Sequence, residues 1–228
     1  MRYFKEALVL LKNGQIKVLL RKIKSAICNC SYFLRAQWED RKYGGKSINA
    51  KIPSRFSDTG AYAVQSTNYI WLDKIFQSLP LKKDAIFVDV GCGEGRVLTY
   101  LYSRGFRNKM TGIELDPDVA ETARRRTARC ANINVLDVNV LDAGAVFEDA
   151  TAVYLFNPFN EQVFTAFVEL LECTCKHPLT FYYSNDLYRR VLDKRENWRI
   201  LRRDILRAPG CPTRYYTIYR YKPEEKQA

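Results

Sequence analysis

The 228-residue chain is predicted to adopt an α/β fold. The expected architecture is a seven-stranded, mostly parallel sheet with helices on both faces, an antiparallel last strand and a helical extension ahead of it. Three observations lead there. Short apolar runs alternate with longer helical patterns from residue 85 onward, the signature of a parallel sheet joined by crossover helices. The first run ends in a glycine-rich turn, Gly91-Cys92-Gly93-Glu94-Gly95, which leads directly into a helix. The last two runs are separated by Pro209-Gly210-Cys211-Pro212, a turn-forming cluster.

The elements follow in order. Residues 3–12 and 15–35 read as two helices broken at Asn13-Gly14. In the second, Ile16, Leu19, Leu20, Ile23 and Ile27 recur at helical spacing, with Lys17, Arg21, Lys22 and Lys24 around them. Residues 36–60 hold Gly44-Gly45, Pro53 and Gly60 and read as a linker or substrate-side loop. Residues 66–76 read as a capped helix. Strands are expected at 85–90, 110–115, 133–139, 152–157, 179–184, 197–205 and 214–221. Helices are expected at 95–104, 117–130, 161–174 and 185–194. The division that follows is a basic amphipathic arm (1–46), a linker with a covering helix (47–84) and a core (85–228).

Charge is unevenly placed. Residues 1–46 hold eleven Lys/Arg and three Asp/Glu, so +8 of the chain's net +12 sits in the arm. A basic amphipathic helix packs on its own domain or on a second copy, lies on an anionic membrane through residues 1–35, or meets nucleic acid. All three readings stand at this point. No uninterrupted apolar run reaches the length of a membrane span, and Ala7–Leu11 makes a poor signal peptide. Seven cysteines with one histidine form no disulfide framework or metal spacing. They read as reduced thiols in a cytoplasmic protein, peripheral to a membrane if the arm binds one, and no metal site is expected.

The chemistry concentrates at strand ends. Gly91, Gly93 and Gly95 let backbone approach a ligand, and the helix behind them opens with unpaired N–H groups. A dinucleotide site wants G-x-G-x-x-G with a pyrophosphate on the helix N-terminus. Here the spacing is G-x-G-x-G, and Asp89 stands two residues before the first glycine, where it would repel a pyrophosphate and suit a cationic group. Glu114 lies about 20 residues further on, where an acid meets the ribose hydroxyls of an adenosine cofactor. Asp116 and Pro117 read as the cap and first residue of the next helix.

The motifs Val88-Asp89-Val90-Gly91-Cys92-Gly93-Glu94-Gly95-Arg96 and Gly112-Ile113-Glu114-Leu115-Asp116-Pro117 resemble those of class I S-adenosylmethionine-dependent methyltransferases. Within that superfamily the chain is similar to the bacterial branch that carries G-C-G-x-G-R and a later F-N-P-F. The resemblance spans roughly residues 55–222 and implies a Rossmann-like sheet whose last strand is antiparallel and reached by a hairpin after Pro209-Gly210-Cys211-Pro212, with S-adenosylmethionine as cofactor and methyl transfer as the activity. It implies that Asp89 holds the methionine end, that Glu114 receives both ribose hydroxyls and that Leu115 presses on the adenine. Cys92 packs quietly with its backbone near the ligand, and Arg96 is expected to be exposed or salt-bridged. Tyr62, Gln65 and Ser66 fall in a segment that covers the cofactor in the resembling family.

Two positions depart from that pattern. The family commonly has Gly-Asp where this chain has Val138-Asn139, so Asn139 is expected to meet the adenine amino group, with Asp142 as a rival. At the fourth strand end the chain reads Phe156-Asn157-Pro158-Phe159, one proline short of the N-P-P-Y/F of amino-directed enzymes. Asn157 is expected to position the acceptor or the cofactor's amino end, and Phe159 to wall the methyl pocket. His177 is expected to be structural, and Asp186 is a weak candidate base.

The leading reading is a methyltransferase acting on a small-molecule or glycan-type acceptor by in-line displacement. A nucleic-acid methyltransferase, using Arg214, Tyr215, Tyr216, Tyr219, Arg220 and Tyr221, is the second. A non-catalytic cofactor-binding or partner module is the third. A homodimer is compatible with all of them.

Overall fold

The computed structural model describes residues 9–11, 13–44, 48, 50–208 and 211–223. Its sheet is built outward from Phe87–Val90 (β1), four consecutive buried residues. A strand apolar on both faces needs cover on both faces, which only a parallel sheet flanked by helices provides. β1 pairs in parallel with Met110–Glu114 (β2) and Ala152–Leu155 (β4). Ile133–Asp137 (β3), Leu179–Ser184 (β5), Trp198–Leu206 (β6) and Arg214–Tyr221 (β7) complete the order β3-β2-β1-β4-β5-β7-β6. β7 runs antiparallel between β5 and β6, as the resemblance implies for the last strand. Strand order reverses between β1 and β4, and the crevice beyond the carboxyl ends at such a switch point is where open α/β sheets bind ligands.

The helices are Ile16–Gly44 (α1), Tyr69–Ser78 (α2), Arg96–Ser103 (α3), Pro117–Thr127 (α4), Gly144–Phe147 (α5), Glu161–Thr174 (α6) and Arg190–Asp193 (α7). Local chemistry sets several starts. Asn68 Oδ1 accepts from Ile70 N at 2.9 Å. Asp116 caps α4 through Asp118 N, with Pro117 behind it. Asn160 Oδ1 accepts from Val163 N at the start of α6. Each such cap contributes about 1 kcal/mol.

Aromatic side chains fill both faces of the sheet. On one, Phe76 of α2 lies 5.3–6.2 Å from the rings of Phe87, Tyr154 and Tyr182. On the other, Phe167 of α6 meets Phe147, Phe159 and Phe181. Each buried aromatic of this kind contributes about 1.5–3 kcal/mol.

Several expectations are corrected. α1 continues nine residues beyond its expected end at 35, so residues 36–44 are helix rather than loop. No glycine or proline interrupts it before Gly44, and its last turns gain partners in the core. Of the first expected helix, residues 9–11 are helical; 3–8 and 12 lie outside the described residues. β3 stops at Asp137 because Asn139 caps a short 3-10 turn, Val140–Asp142. The helix expected at 185–194 shrinks to α7, since Asn185 takes a left-handed φ of 54°. Residues 209 and 210, within the expected hairpin link, lie outside the described residues.

Candidate functional site

The turn after β1 is shaped by two of its glycines. Gly91 has φ 66°, and a Cβ there would come 2.5 Å from Pro158 Cβ. Gly93 has φ 54°, and a Cβ there would meet Val64 at 2.9 Å. Side chains at these positions would force apart the β1 turn, the β4 turn and the segment ahead of α2. Gly112 in β2 is packed as closely: a Cβ would lie 2.8 Å from Cys92 Sγ and Leu98 Cδ1. That contact seats α3 against the sheet.

These parts enclose a cavity of about 410 Å³. Asp89, Gly91, Cys92 and Gly93 line it from β1. Glu114 and Leu115 line it from β2, Asn139 from β3, and Asn157, Pro158 and Phe159 from β4. Tyr62, Gln65 and Ser66 line it from the preceding segment. The structure thus brings together nearly all of the site residues expected from the sequence. Gly95 is set back at the start of α3, where a Cβ would lie 3.4 Å from Ala123 Cβ.

Asp89 is 2% exposed, and its Oδ2 has no hydrogen-bond partner. Burial, reinforced by the neighbouring Glu114 carboxylate, pushes its carboxyl well above the ordinary range. An unbonded carboxylate oxygen in a cavity wall is costly in water-free surroundings and attracts a cation. Glu114 is arranged differently. Its Oε2 accepts from Gly93 N at 2.9 Å, and its Oε1 accepts from Leu115 N and Asp116 N. Burial raises its pKa, opposed by those backbone donors. A carboxylate offers about four lone-pair sites, so Glu114 is already held in place with little acceptor capacity left over. The expectation that it takes both hydroxyls of a diol narrows accordingly. Cys92 is buried with its thiol pushed well up by desolvation, which leaves it inert.

The β4 turn is equally determined. Asn157 adopts φ 45°, and its Oδ1 accepts from Tyr183 OH at 2.8 Å. The Tyr183 hydroxyl in turn accepts from Tyr188 N. Asn157 thus lines the cavity with its oxygen already engaged. Pro158 O accepts from Tyr62 N at 2.7 Å, and Ala61 bridges Phe159 in antiparallel fashion. Phe159 is buried edge-on against Phe167 and faces the cavity on its remaining side.

The segment ahead of α2 is closed on itself and is fastened over the cavity through Tyr62 and Arg55. Ile52 and Val64 exchange backbone hydrogen bonds of 2.9–3.0 Å. Tyr62 joins Pro158 as above, and its hydroxyl meets that of Tyr188. Arg55 pairs with Asp116 and Asp118 at the end of β2, and that guanidinium holds the Asp116 carboxyl below its usual value. Asn139 Oδ1 accepts from Leu141 N at 3.0 Å, while the rival Asp142 is exposed and does not line the cavity.

Other residues resolve plainly. Asp186 is buried, accepts from Arg203 Nε and Thr217 Oγ1, and does not line the cavity. His177 donates to the Glu148 carbonyl, away from the site. Arg96 is 2% exposed, which corrects the exposed alternative, and is salt-bridged to Asp40 of α1. Its Nη2 lies 2.7 Å from Asp40 Oδ2 and its Nε 3.1 Å from Oδ1. Asp40 also accepts from Tyr69 OH and Ile48 N, and its carbonyl accepts from Arg126. No signal in the sequence marks Asp40, an acid in a stretch that reads as linker. Phe156, Asn185, Leu187 and Arg214 also line the cavity. Asn185 was findable, since it follows the carboxyl end of β5.

Residues 87–174 match a methyltransferase domain family. The chain is 33% identical over 66 residues to the putative methyltransferase Rv1506c of Mycobacterium tuberculosis; the match covers 29% of this chain and 40% of that protein. The aligned stretch therefore spans less than half the length of this curated relative. Among solved structures, an RNA methyltransferase from Salinibacter ruber in complex with S-adenosyl-L-homocysteine superposes with a TM-score of 0.52 at 20% identity. That match covers 70% of this chain and 95% of that one. The putative methyltransferase yhhF from Escherichia coli gives a TM-score of 0.56 at 20% identity, over 70% and 89% of the two chains. At these identities the likeness establishes the fold.

Proposed function

We propose that the cavity binds S-adenosylmethionine and that the chain methylates an acceptor held beside Asn157, since residues 87–174 match a methyltransferase domain family and the cavity lies at the switch point of a Rossmann-like sheet. The observation that carries this reading is the unbonded, buried Oδ2 of Asp89 beneath a glycine turn at the sheet's switch point. Such an oxygen wants a cationic partner, and the ammonium of the cofactor's methionine end is one. Leu115 offers an apolar face for the adenine, Asn139 an amide at its edge, and Glu114 its remaining acceptor capacity to the ribose. When bound, S-adenosylmethionine supplies a methyl group activated by a sulfonium.

The chain's own task is then to position and to exclude water. Asn157, fixed by Tyr183, lines the place where the acceptor must lie. Phe159 walls that place with an aromatic ring. The fastened segment around Tyr62 closes the cavity over both. Neither Asp186 nor His177 is available as a base, since both are engaged elsewhere. The acceptor is proposed to be a small-molecule or glycan-type compound. The nucleic-acid reading loses its stacking platform, because Tyr216, Tyr219 and Tyr221 are buried in the core and only Tyr215 of that run is exposed.

Calorimetric titration with S-adenosylmethionine and S-adenosylhomocysteine tests the cofactor. Asp89→Asn keeps the shape and removes the charge, and is expected to weaken binding by about 10–100-fold with the fold intact. Unchanged affinity in that variant would refute the assignment. Radiolabelled cofactor incubated with fractionated lysate tests the acceptor; label entering nucleic acid would overturn the small-acceptor reading.

A further inference from the structure

α1 shows two opposite faces. Toward the domain it places Tyr32, Ala36, Asp40 and Tyr43, which pack on the core or, as with Tyr43 against Tyr102, on α3. About half a turn around, at 100° per residue, stand Ile16, Leu20, Ile23, Ile27, Leu34 and Trp38. These six are 46–63% exposed and recur at steps of three, four and seven, so they form one straight apolar stripe pointing away from the domain. Beside the stripe, Lys17, Lys24, Arg41 and Lys42 are exposed, and Arg21 is exposed further round the helix. The only carboxylates of the helix, Glu39 and Asp40, are buried on its docked side. The free side of α1 is therefore apolar and cationic, with no acid.

We propose that this stripe lies on an anionic lipid surface, with α1 parallel to the membrane plane. The physical case is the pairing of an apolar stripe with flanking cations, which gains from burying side chains at the acyl boundary and from attraction to anionic headgroups. The run Ile16–Leu34 is about 27 Å long at 1.5 Å per residue, enough for several headgroups. Among the described residues no helix is long and apolar enough to cross a membrane, so α1 rests on the surface rather than spanning it. A second copy of this chain is the competing occupant, since the stripe's spacing would also suit a coiled coil. Two such helices would bring cations such as Lys17 and Lys24 to the flanks of the seam with no carboxylate to pair them, where a coiled coil uses opposite charges. The lipid supplies the countercharge that a second copy lacks.

The test is co-sedimentation of the full chain with phosphatidylcholine vesicles, with and without an equal share of phosphatidylglycerol. It is run alongside analytical ultracentrifugation of the chain alone. Two variants probe the stripe and its flank separately: Ile23→Asp with Ile27→Asp, and Lys17→Glu with Arg21→Glu and Lys24→Glu. All five side chains are exposed, so melting temperature and cofactor affinity should not change in either. The chain is expected to bind the anionic vesicles and not the neutral ones, and each variant to lose binding by about a hundredfold. Absence of binding, or binding that both variants retain, overturns the proposal. So does a dimer in solution that Ile23→Asp with Ile27→Asp splits, or nucleic-acid binding that only the charge variant abolishes while vesicles are ignored.

Discussion

Asp89 and Glu114 are two buried carboxylates in one cavity wall, yet their surroundings give them different roles. Glu114 is held by three backbone N–H groups, whereas Oδ2 of Asp89 meets none. Burial first, and Glu114 second, raise the Asp89 pKa, so the folded protein without cofactor holds that proton more tightly than the unfolded chain does. The stabilisation this gives is fully present below the ordinary aspartate value, about 4, and is lost as pH rises through the raised folded value. For one group the slope is at most about 1.4 kcal/mol per pH unit. Thermal melts across pH should therefore show the wild type losing stability relative to Asp89→Asn as pH rises through that window. Parallel curves would mean that Asp89 is not held protonated. A cationic ligand reverses the preference, so cofactor binding should release a proton in the same window.

At the scale of elements, the end of α1 is fastened to the beginning of α3. Asp40 meets the Arg96 guanidinium with both oxygens, and Arg96 is the first residue of the helix that follows the glycine turn. Its Nη1 also donates to Thr67 O, and its guanidinium lies 4.9 Å from the Tyr69 ring centroid. The arrangement joins α1, α2, α3 and, through Arg126, α4. Removing one partner strands a charge in a dry interior, which costs about 3–5 kcal/mol. Asp40→Ala should thus lower the denaturation midpoint by that amount, measured by chemical unfolding. A cost below about 1 kcal/mol, typical of exposed pairs, would show that Arg96 finds water or another acceptor. The opposite edge of the sheet is managed by charge instead: β6 exposes Arg199, Arg202 and Arg203, which discourage pairing with another strand.

The whole molecule divides differently from its sequence. A boundary at residue 46 matches the drop in charge density, but contacts with the core begin at Tyr32. A chain lacking residues 1–30 should keep its melting temperature and cofactor affinity, while one lacking residues 1–44 should unfold at markedly lower temperature, because Arg96 and Arg126 lose Asp40. Calorimetry on both truncations checks this; equal stability would show that α1 is an appendage along its full length. The sheet itself was legible because alternating periodicity and the Gly91–Gly95 turn report local backbone needs. The carboxylates Asp89 and Glu114 were legible because each ends an apolar run at a set spacing from the glycine turn. The extension of α1 through residue 44, the shortening of the helix after β5 and the role of Asp40 were not. Each depends on partners distant in sequence: Arg96 and Arg126 for Asp40, and Arg203 and Thr217 for the Asp186 that follows Asn185.

The sequence by itself determined the strand order's raw material, the glycine cradle and the acids at its rim, since spacing along the chain dictates what a strand, a tight turn or a helix start can be. Only tertiary structure decided which of those acids stays unbonded, that the Asn157 oxygen is engaged by Tyr183, and which side of α1 is left uncovered. Those outcomes arise from hydrogen bonds and burial between segments tens of residues apart, and no local pattern encodes where such partners come to rest.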